Sequence, residues 1–308
     1  MMLRLSTSAL ALSTLMVGAA LSLAAQTPAT TPAPKAPAGL DIVSIDKAIG
    51  RAGQINGDVY RVTFPRTDLN VTIGGVTIKP GLALGSWAAF KSKTPTQAVV
   101  HGDLVLTEPE VNPVISALQA HNFEITALHN HVIDETPAVM YLHYWGEGSA
   151  VTLAQNVRDA LGRTKTPIAA PAPPPPAGTK DDLPADQIQQ AIGLKGAVNN
   201  GVLGLSQPRP ETIEMMGVTM PPSMGMATAI NFQSAGSGKV ATTGDFVMIA
   251  DEVNRVARAL RKNDIQITAL HNHLLHGSPD LYFMHFWAVG DAGKIATGLK
   301  AALAELKK

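Results

Sequence analysis

The histidines of this chain recur in a pattern that could bind a metal ion. The heptapeptide ITALHNH occurs at residues 125–131 and again at 267–273, and one further histidine follows each copy, His143 and His285. The chain has nine histidines, so this pattern contains six of them. Neutral imidazole nitrogens are suitable ligands for zinc, copper, nickel or iron.

The spacing of these residues predicts that three histidines converge in each copy. In a β-strand, residues two apart point to the same face, so His129 and His131 share a face. A hairpin turn centred near Thr136 places His143 opposite His129, and Tyr141 opposite His131, on that same face. The second copy repeats this arrangement with His271, His273, His285 and Phe283.

These histidine faces admit several functions. We expect each copy to bind a divalent transition metal, zinc or copper, with metal-assisted hydrolysis or redox chemistry as an extension. One alternative is a non-catalytic ligand-binding or sensing module, in which aromatic residues bind a small molecule in a cleft. Another is a metal-free hydrolase or lyase with a histidine base. A purely structural alternative is a cluster of rings that only packs the two copies together. The aromatic candidates for ligand or cofactor binding are Tyr141, Trp145, Phe283 and Trp287.

Two glutamates are candidate catalytic residues. Glu110 and Glu252 occupy equivalent positions at the start of predicted helices, where a glutamate usually complements the helix dipole or completes a capping box. Thr107 completes such a box with Glu110, but Ile249 takes its place in the second copy. A role as fourth metal ligand or general base therefore stays open.

Other polar residues near the pattern are predicted to be structural. Asp103 and Asp245 each follow a glycine at the expected start of a strand, which favours turns or local hydrogen bonds. Asn130 and Asn272 should point into the helix layer and bond the backbone. Three further histidines have no histidine counterpart in the other copy and are predicted to be surface or local residues: His101, His121 and His276.

The elements around the pattern belong to a tandem duplication. A shift of 142 positions aligns residues 90–150 with 232–292 without a gap. Each half reads as strand, amphipathic helix, two strands joined by a turn, and a final helix. This order predicts an α+β fold, in which each repeat has an antiparallel sheet with helices packed on one face. Exposed aromatic faces are rare, so we expect the two repeats to pack on each other.

Composition excludes several other classes of function. The 308 residues, 45% of them hydrophobic, suffice for two ordinary domains. Lysine and arginine together number 24, as do aspartate and glutamate, so no basic field is available to bind nucleic acid. The chain has no cysteine, which excludes disulfides, thiolate metal sites and a cysteine nucleophile.

The first residues predict export. Arg4 precedes an apolar run and a small-residue cleavage pattern near Ala24, as in a signal peptide. We therefore expect a periplasmic or secreted protein with no membrane span after cleavage. The predicted boundaries are a signal peptide at 1–25, a flexible tether at 26–39, repeat 1 at 40–163, a proline-rich linker at 164–184 and repeat 2 at 185–308.

The repeats also resemble a known family. The stretch beginning GDLVLTEPEVNPVISALQAHNFEITALHNH, followed by MYLHYWGEG, is similar to the uncharacterised bacterial domain named after the exported lipoproteins LppY and LpqO. The resemblance covers each half once and implies export. It implies no activity, and the lack of cysteine departs from the lipoproteins, because it leaves no residue to lipidate.

Overall fold

The computed structural model describes residues 36–169 and 182–307. The predicted signal peptide, most of the tether and the centre of the proline-rich linker lie outside these residues. The described chain contains two similar repeats, each with an antiparallel sheet and helices, as predicted. No helix within the described ranges has the length and apolar character needed to cross a membrane.

Repeat 1 contains a six-stranded sheet, a small second sheet and four helices. Its helices are α1 (Ile42–Ile49), α2 (Pro80–Ala83), α3 (Glu108–Ala120) and α4 (Ala150–Leu161). Its strands are β1 (Gln54–Asn56), β2 (Val59–Pro65), β3 (Thr72–Ile73), β4 (Val76–Thr77), β5 (Gly85–Ser92), β6 (Ala98–Thr107), β7 (Glu124–His129), β8 (Glu135–Thr136) and β9 (Val139–Gly148). The large sheet has the order β1-β2-β5-β6-β9-β7, and the small one β4-β3-β8.

Repeat 2 has the same topology, with a 3-10 turn at Pro222–Met224 in place of α2. Its helices are α5 (Ala185–Ile192), α6 (Ala250–Lys262) and α7 (Ala292–Leu303). Its strands are β10 (Gly196–Asn199), β11 (Val202–Pro208), β12 (Glu214–Met215), β13 (Val218–Thr219), β14 (Ala227–Gly236), β15 (Lys239–Met248), β16 (Gln266–His271), β17 (Gly277–Ser278) and β18 (Tyr282–Gly290). The large sheet has the order β10-β11-β14-β15-β18-β16.

Helices cover one face of each large sheet. In repeat 1, alternate residues of β6 and β9, such as Leu104 and Leu142, are buried in one core with Val114 of α3 and Val157 of α4. The corresponding core of repeat 2 lies between its sheet and α5, α6 and α7. The intervening residues of the central strands point to the opposite face, which the period of two in a strand requires. The predicted histidine face is therefore the face without helices.

The opposite faces of the two sheets pack against each other. One buried cluster joins Trp87 and Trp145 of repeat 1 with Met215 and Phe283 of repeat 2. A second joins residues of the small sheet of repeat 1 with Trp287 and its neighbours in repeat 2. The segment around α2 is also tied to β14, because the Asn231 amide donates to the Leu82 carbonyl at 3.0 Å. The two repeats share their inner core.

The predicted hairpin register was wrong by two residues. His129 pairs with Tyr141, and His143 pairs with Ala127. The connection between β7 and β9 is not a tight turn, because it contains β8, which pairs with β3 instead. A register shift near Ala127 adds to the offset. An offset of two preserves the face, so the histidines still share one side of the sheet.

The repeated Gly-Asp pair reflects a close approach of neighbouring strands. A Cβ atom added at Gly244 would lie 2.0 Å from the Ala229 carbonyl oxygen, and one added at Gly102 would lie 2.5 Å from the Trp87 carbonyl oxygen. Only glycine fits at either position. The aspartates that follow, Asp103 and Asp245, lie in the middle of β6 and β15, so the prediction that they begin a strand was wrong.

Candidate metal centre

The six patterned histidines form one cluster between the two sheets, and not one site in each repeat as predicted. The rings of His129 and His271 stack across the interface with centroids 3.5 Å apart. Two further cross-repeat stacks flank this pair, at 3.9 Å for His131 with His285 and at 3.8 Å for His143 with His273. These pairs are related by an approximate two-fold axis that exchanges the repeats.

The cluster departs from this symmetry in one direction. The His129 ring lies 5.3 Å from that of His285, whereas the equivalent rings, His271 and His143, are 6.5 Å apart. As a result, one possible ligand nitrogen from each of four histidines falls within 4.8 Å of the others. Repeat 1 supplies one member and repeat 2 three: His129, His271, His273 and His285.

Backbone carbonyls fix the orientation of three of these four rings. The Nδ1 atoms of His129 and His271 each lie 3.1 Å from the carbonyl oxygen of the next residue, and His285 Nδ1 lies 2.8 Å from the Gly244 carbonyl oxygen. A carbonyl oxygen only accepts hydrogen bonds, so Nδ1 must carry the proton. The Nε2 atom of each ring then has a free lone pair. Ligating histidines in metalloproteins are commonly held in this way.

The Nε2 atoms are buried without hydrogen-bond partners. This holds for His129, His271 and His285, and for both ring nitrogens of His143 and His273. Buried polar atoms are rarely left unpaired, and one ring nitrogen from each of four of these histidines lies within 4.8 Å of the others. Burial lowers the pKa of His129 to about 3 and that of His271 to about 4. The rings are neutral at physiological pH and therefore able to coordinate a cation.

Two buried carboxyl groups flank the cluster. Asp245 Oδ2 lies 3.6 Å from His273 Nε2, and Asp103 Oδ2 lies 4.0 Å from His143 Nε2. Burial raises the pKa of Asp103 to about 8, with Arg61 opposing the shift, and burial with the charge of Asp103 raises that of Asp245 well above its usual range. A cation among the rings would reverse this effect, because its charge favours the carboxylate.

His101 was wrongly predicted to be a surface or local residue. Its side chain is fully buried in β6, with its ring 5.7 Å from that of His143 and 5.5 Å from that of Trp87. Burial lowers its pKa to about 4. The equivalent residue of repeat 2 is Thr243, so His101 does not belong to a histidine motif that both repeats share. The signal that could have found it is parity, since His101 and Asp103 are two apart in one strand. His121 follows α3 and is partly exposed, with its Nε2 atom 3.2 Å from Asp159 Oδ2.

A cavity of about 510 Å³ opens beside the cluster and is lined by both repeats. The cluster contributes His131, His143, His273 and His285 to its wall. Arg61 and Trp87, which the sequence analysis did not single out, also line it. Neither has a counterpart in repeat 2, where the aligned residues are Gly204 and Ala229. Because the repeats differ at these positions, the motifs that the repeats share do not include Arg61 or Trp87.

The four aromatic candidates are buried around the histidines. Tyr141 stacks on His131 with centroids 3.3 Å apart, and Phe283 stacks on His273 at 3.5 Å. The Tyr141 hydroxyl donates to the Ala83 carbonyl oxygen. Trp145 and Trp287 lie in the two clusters that join the repeats. None of these aromatics is among the residues that line the cavity. Tyr141 and Phe283 hold histidine rings of the cluster in place, and Trp145 and Trp287 pack the repeats together.

Glu110 and Glu252 each form an ion pair outside the histidine cluster. Arg66 Nη1 donates to Glu110 at 2.8 Å, and Arg209 Nη1 donates to Glu252 at 2.7 Å. Both carboxylates also accept the N–H at the start of their helix, from Thr107 and Ile249. Burial opposes ionisation of both glutamates, but the arginines and N–H donors outweigh it and lower both pKa values. This geometry places them as anchors of α3 and α6.

The asparagines between the paired histidines bond the backbone, but not inside the helix layer. The Asn130 amide donates to the Val132 carbonyl at 2.9 Å and, across the repeats, to the Thr268 carbonyl at 3.1 Å. Among the described residues, Asn272 makes the first type of bond alone, to the Leu274 carbonyl. Val132, next to this segment, is buried with the small sheet in the shared core. The chain leaves the strand after His129, which ends the alternation on which the prediction depended.

Comparisons with known proteins place the chain in a family but give no activity. Two solved structures are similar at 11% identity and cover 82% of this chain and 89% of theirs: a trimeric bacterial microcompartment shell protein, PduB, and EtuB from Clostridium kluyveri. Both have a TM-score of 0.20, which is too low to support any argument. No functionally curated protein matches the chain. The family model described as Domain of Unknown Function (DUF1259) matches residues 43–163 and 186–305, so the chain belongs to that family and contains it in two tandem copies.

Proposed function

We propose that this protein binds one divalent transition metal ion, zinc or copper, at the interface between its two repeats. Three rings support the proposal, because their Nδ1–H groups are held by carbonyl oxygens, their Nε2 atoms are buried and unpaired, and each has a ring nitrogen within 4.8 Å of the others: His129, His271 and His285. His273 supplies a fourth nitrogen within the same 4.8 Å.

The donor set suits zinc or copper better than harder cations. Imidazole nitrogen is a borderline ligand that these ions prefer, whereas calcium and magnesium take oxygen ligands. Tetrahedral zinc, with Zn–N bonds of about 2.0–2.1 Å, holds its nitrogens roughly 3.4 Å apart. Nitrogens that lie up to 4.8 Å apart therefore need to approach by up to about 1.4 Å to bind the ion. Asp245, 3.6 Å from His273, offers the compensating charge.

The test is calorimetric titration of zinc and copper into metal-free protein purified without a histidine tag. Wild type should bind at micromolar concentration or below. His129→Ala removes the only ligand from repeat 1 and should weaken binding by more than about 100-fold, because losing a ligand costs more than losing a residue that merely orients one. Asn272→Ala is the matched control and should leave binding unchanged. Absence of binding by wild type, or binding indifferent to His129, would overturn the proposal.

We further propose that the protein is exported, on the strength of its first 25 residues. Cleavage near Ala24 should leave a mature chain in the periplasm or the medium. Mass spectrometry of the protein recovered from cell fractions tests this directly. A cytoplasmic protein that retains residue 1 would contradict it.

A further inference from the structure

Arg61 differs from Arg66 and Arg209 in its hydrogen-bond partners. Arg66 and Arg209 each donate to two carboxylates. Arg61 lines the cavity, and among the described residues no carboxylate oxygen lies within 4.0 Å of its guanidinium. Its Nη1 donates instead to a neutral acceptor, the Ser223 carbonyl oxygen of repeat 2, at 2.7 Å.

The Arg61 side chain is held in a defined position. Its guanidinium carbon lies 4.0 Å from the centre of the Trp87 ring, which is a cation–π contact. The hydrogen bond to the Ser223 carbonyl fixes one side of the guanidinium group. A guanidinium restrained in this way loses little further conformational freedom when it binds a ligand. Its remaining N–H groups are suited to a planar oxyanion, which accepts two parallel hydrogen bonds.

Asp103 is the acidic group whose charge acts on Arg61. Asp103 is close enough for the arginine charge to act on it, yet burial still raises the pKa of Asp103 to about 8. Asp103 and Asp245 also line the cavity, but neither forms an ion pair with Arg61 in the described part of the chain. The guanidinium therefore keeps donors for a negatively charged occupant.

We propose that the cavity binds a small organic carboxylate, with Arg61 as the residue that recognises its charged group. A cavity of about 510 Å³ is within the range of small-molecule sites, and Leu82, Trp87 and several prolines give it apolar wall as well. The inference goes beyond metal binding and does not depend on it, since Arg61 is not among the candidate metal ligands.

Matched pairs of probes test the proposal in metal-free protein, where no ion can capture the carboxylate. Benzoate and benzamide have nearly the same shape, as do acetate and acetamide, and each pair differs in charge. Calorimetry or ligand-observed NMR should show that at least one carboxylate binds wild type about tenfold more tightly than its amide, the preference expected of a charged hydrogen-bonded pair. Inorganic phosphate, tested alongside, should bind more weakly than that carboxylate.

Variants locate the interaction. Arg61→Gln should abolish the preference for carboxylate over amide. Arg61→Lys should reduce this preference, because lysine retains the charge but cannot donate two parallel hydrogen bonds. Arg255→Gln, on the exposed surface of α6, removes the same charge elsewhere and should change nothing. The indole N–H resonance of Trp87 should shift on titration, a readout available in wild type whether or not Arg61→Gln folds.

Two results would overturn the inference. The first is wild type that binds neither carboxylate more tightly than its amide. The second is a preference that survives Arg61→Gln or Arg61→Lys undiminished. Metal titration of the same preparations keeps the two proposals separate, since anion binding without metal binding would refute only the metal site, and the reverse would refute only the anion site.

Discussion

The two repeats share a framework but differ in what they contribute to the interface. Both retain the three histidines, the Gly-Asp pair and the arginine–glutamate anchor. Repeat 2 provides three of the four convergent ligand nitrogens, whereas repeat 1 provides one. Repeat 1 in turn provides Arg61 and Trp87, which the second repeat replaces by Gly204 and Ala229. The two halves therefore differ in the side chains that they place at the shared interface.

The largest expected effect concerns the anchors that the repeats share. The Glu252 side chain is fully buried and that of Glu110 is 11% exposed. Removing one partner of a buried ion pair costs about 3–5 kcal/mol, because the other charge stays buried. Glu252→Ala should therefore lower the free energy of unfolding by about that amount, and Glu110→Ala by less, as measured by urea denaturation.

A surface pair provides the control for this comparison. Glu305 pairs with Arg255, and both side chains are more than 40% exposed. Glu305→Ala should cost less than about 1 kcal/mol. None of the three variants should change metal binding. A loss of metal from Glu110→Ala or Glu252→Ala in folded protein would instead revive the catalytic or ligand role that the sequence left open.

The second effect tests the asymmetry of the cluster. His285 and His143 are equivalent in the two repeats, but only His285 belongs to the convergent group. His285→Ala should weaken zinc binding by more than about 100-fold, and His143→Ala by about tenfold or less, as expected of a residue that does not ligate. Competition with a chromogenic chelator measures both. Equal losses would mean that the repeats contribute symmetrically.

The third effect is a pH optimum of stability in metal-free protein. Burial holds the pKa of His101, His129 and His271 at about 3 to 4, below the value of about 6.5 expected in the unfolded chain. The unfolded state therefore binds more protons, and stability should fall as pH drops from 6.5 towards 4. Asp103 acts in the opposite sense, because its pKa is raised to about 8 and its contribution is lost as pH rises towards that value.

The histidines outnumber the two buried aspartates, so their effect should dominate below pH 6.5. Above it the aspartates still change, so stability should decline towards pH 8. The expected profile has its maximum near pH 6.5, and thermal unfolding across pH 4 to 9 checks it. Replacing Asp103 by Asn should reduce the decline above pH 6.5 and steepen the fall below it, because Asp103 opposes the histidines throughout the range from about 3.9 to about 8. A stability that rises steadily from pH 6.5 to 8 would contradict these assignments.

The smallest effect distinguishes the two asparagines. Asn130 bonds across the interface to Thr268, whereas Asn272 makes no such cross-repeat bond in the described structure. Asn130→Ala should therefore cost about 1 kcal/mol more than Asn272→Ala, the usual contribution of one hydrogen bond. Chemical denaturation of both variants decides the point. Equal costs would show that the cross-repeat bond contributes nothing to stability.

Several features of this molecule follow from the sequence because they depend on local periodicity. The alternation of apolar residues around His143 predicts a face free of helices, and this face survives a register error of two because side chains alternate with a period of two. The duplication itself predicts the α+β topology in both halves. These predictions need no knowledge of how distant segments meet.

The features that the sequence could not predict are those set by the meeting of the two halves. Each repeat alone indicates three converging histidines, but the stack of His129 on His271 exists only across the interface. His101, Arg61 and Trp87 acquire their surroundings from strand neighbours and from repeat 2, and they lack equivalents that would mark them as a motif. Repeated motifs in the sequence mark the residues that the two halves share, and they give no sign of functional residues that only one half contains.

We propose that the two repeats build one metal site together. Native mass spectrometry of the full chain, loaded with excess zinc and then desalted, measures the number of ions held. We expect one zinc ion for each chain, and none after His129→Ala. Two ions in each chain would restore separate three-histidine sites, and a wild-type chain that retains no zinc or copper would contradict metal binding at this cluster.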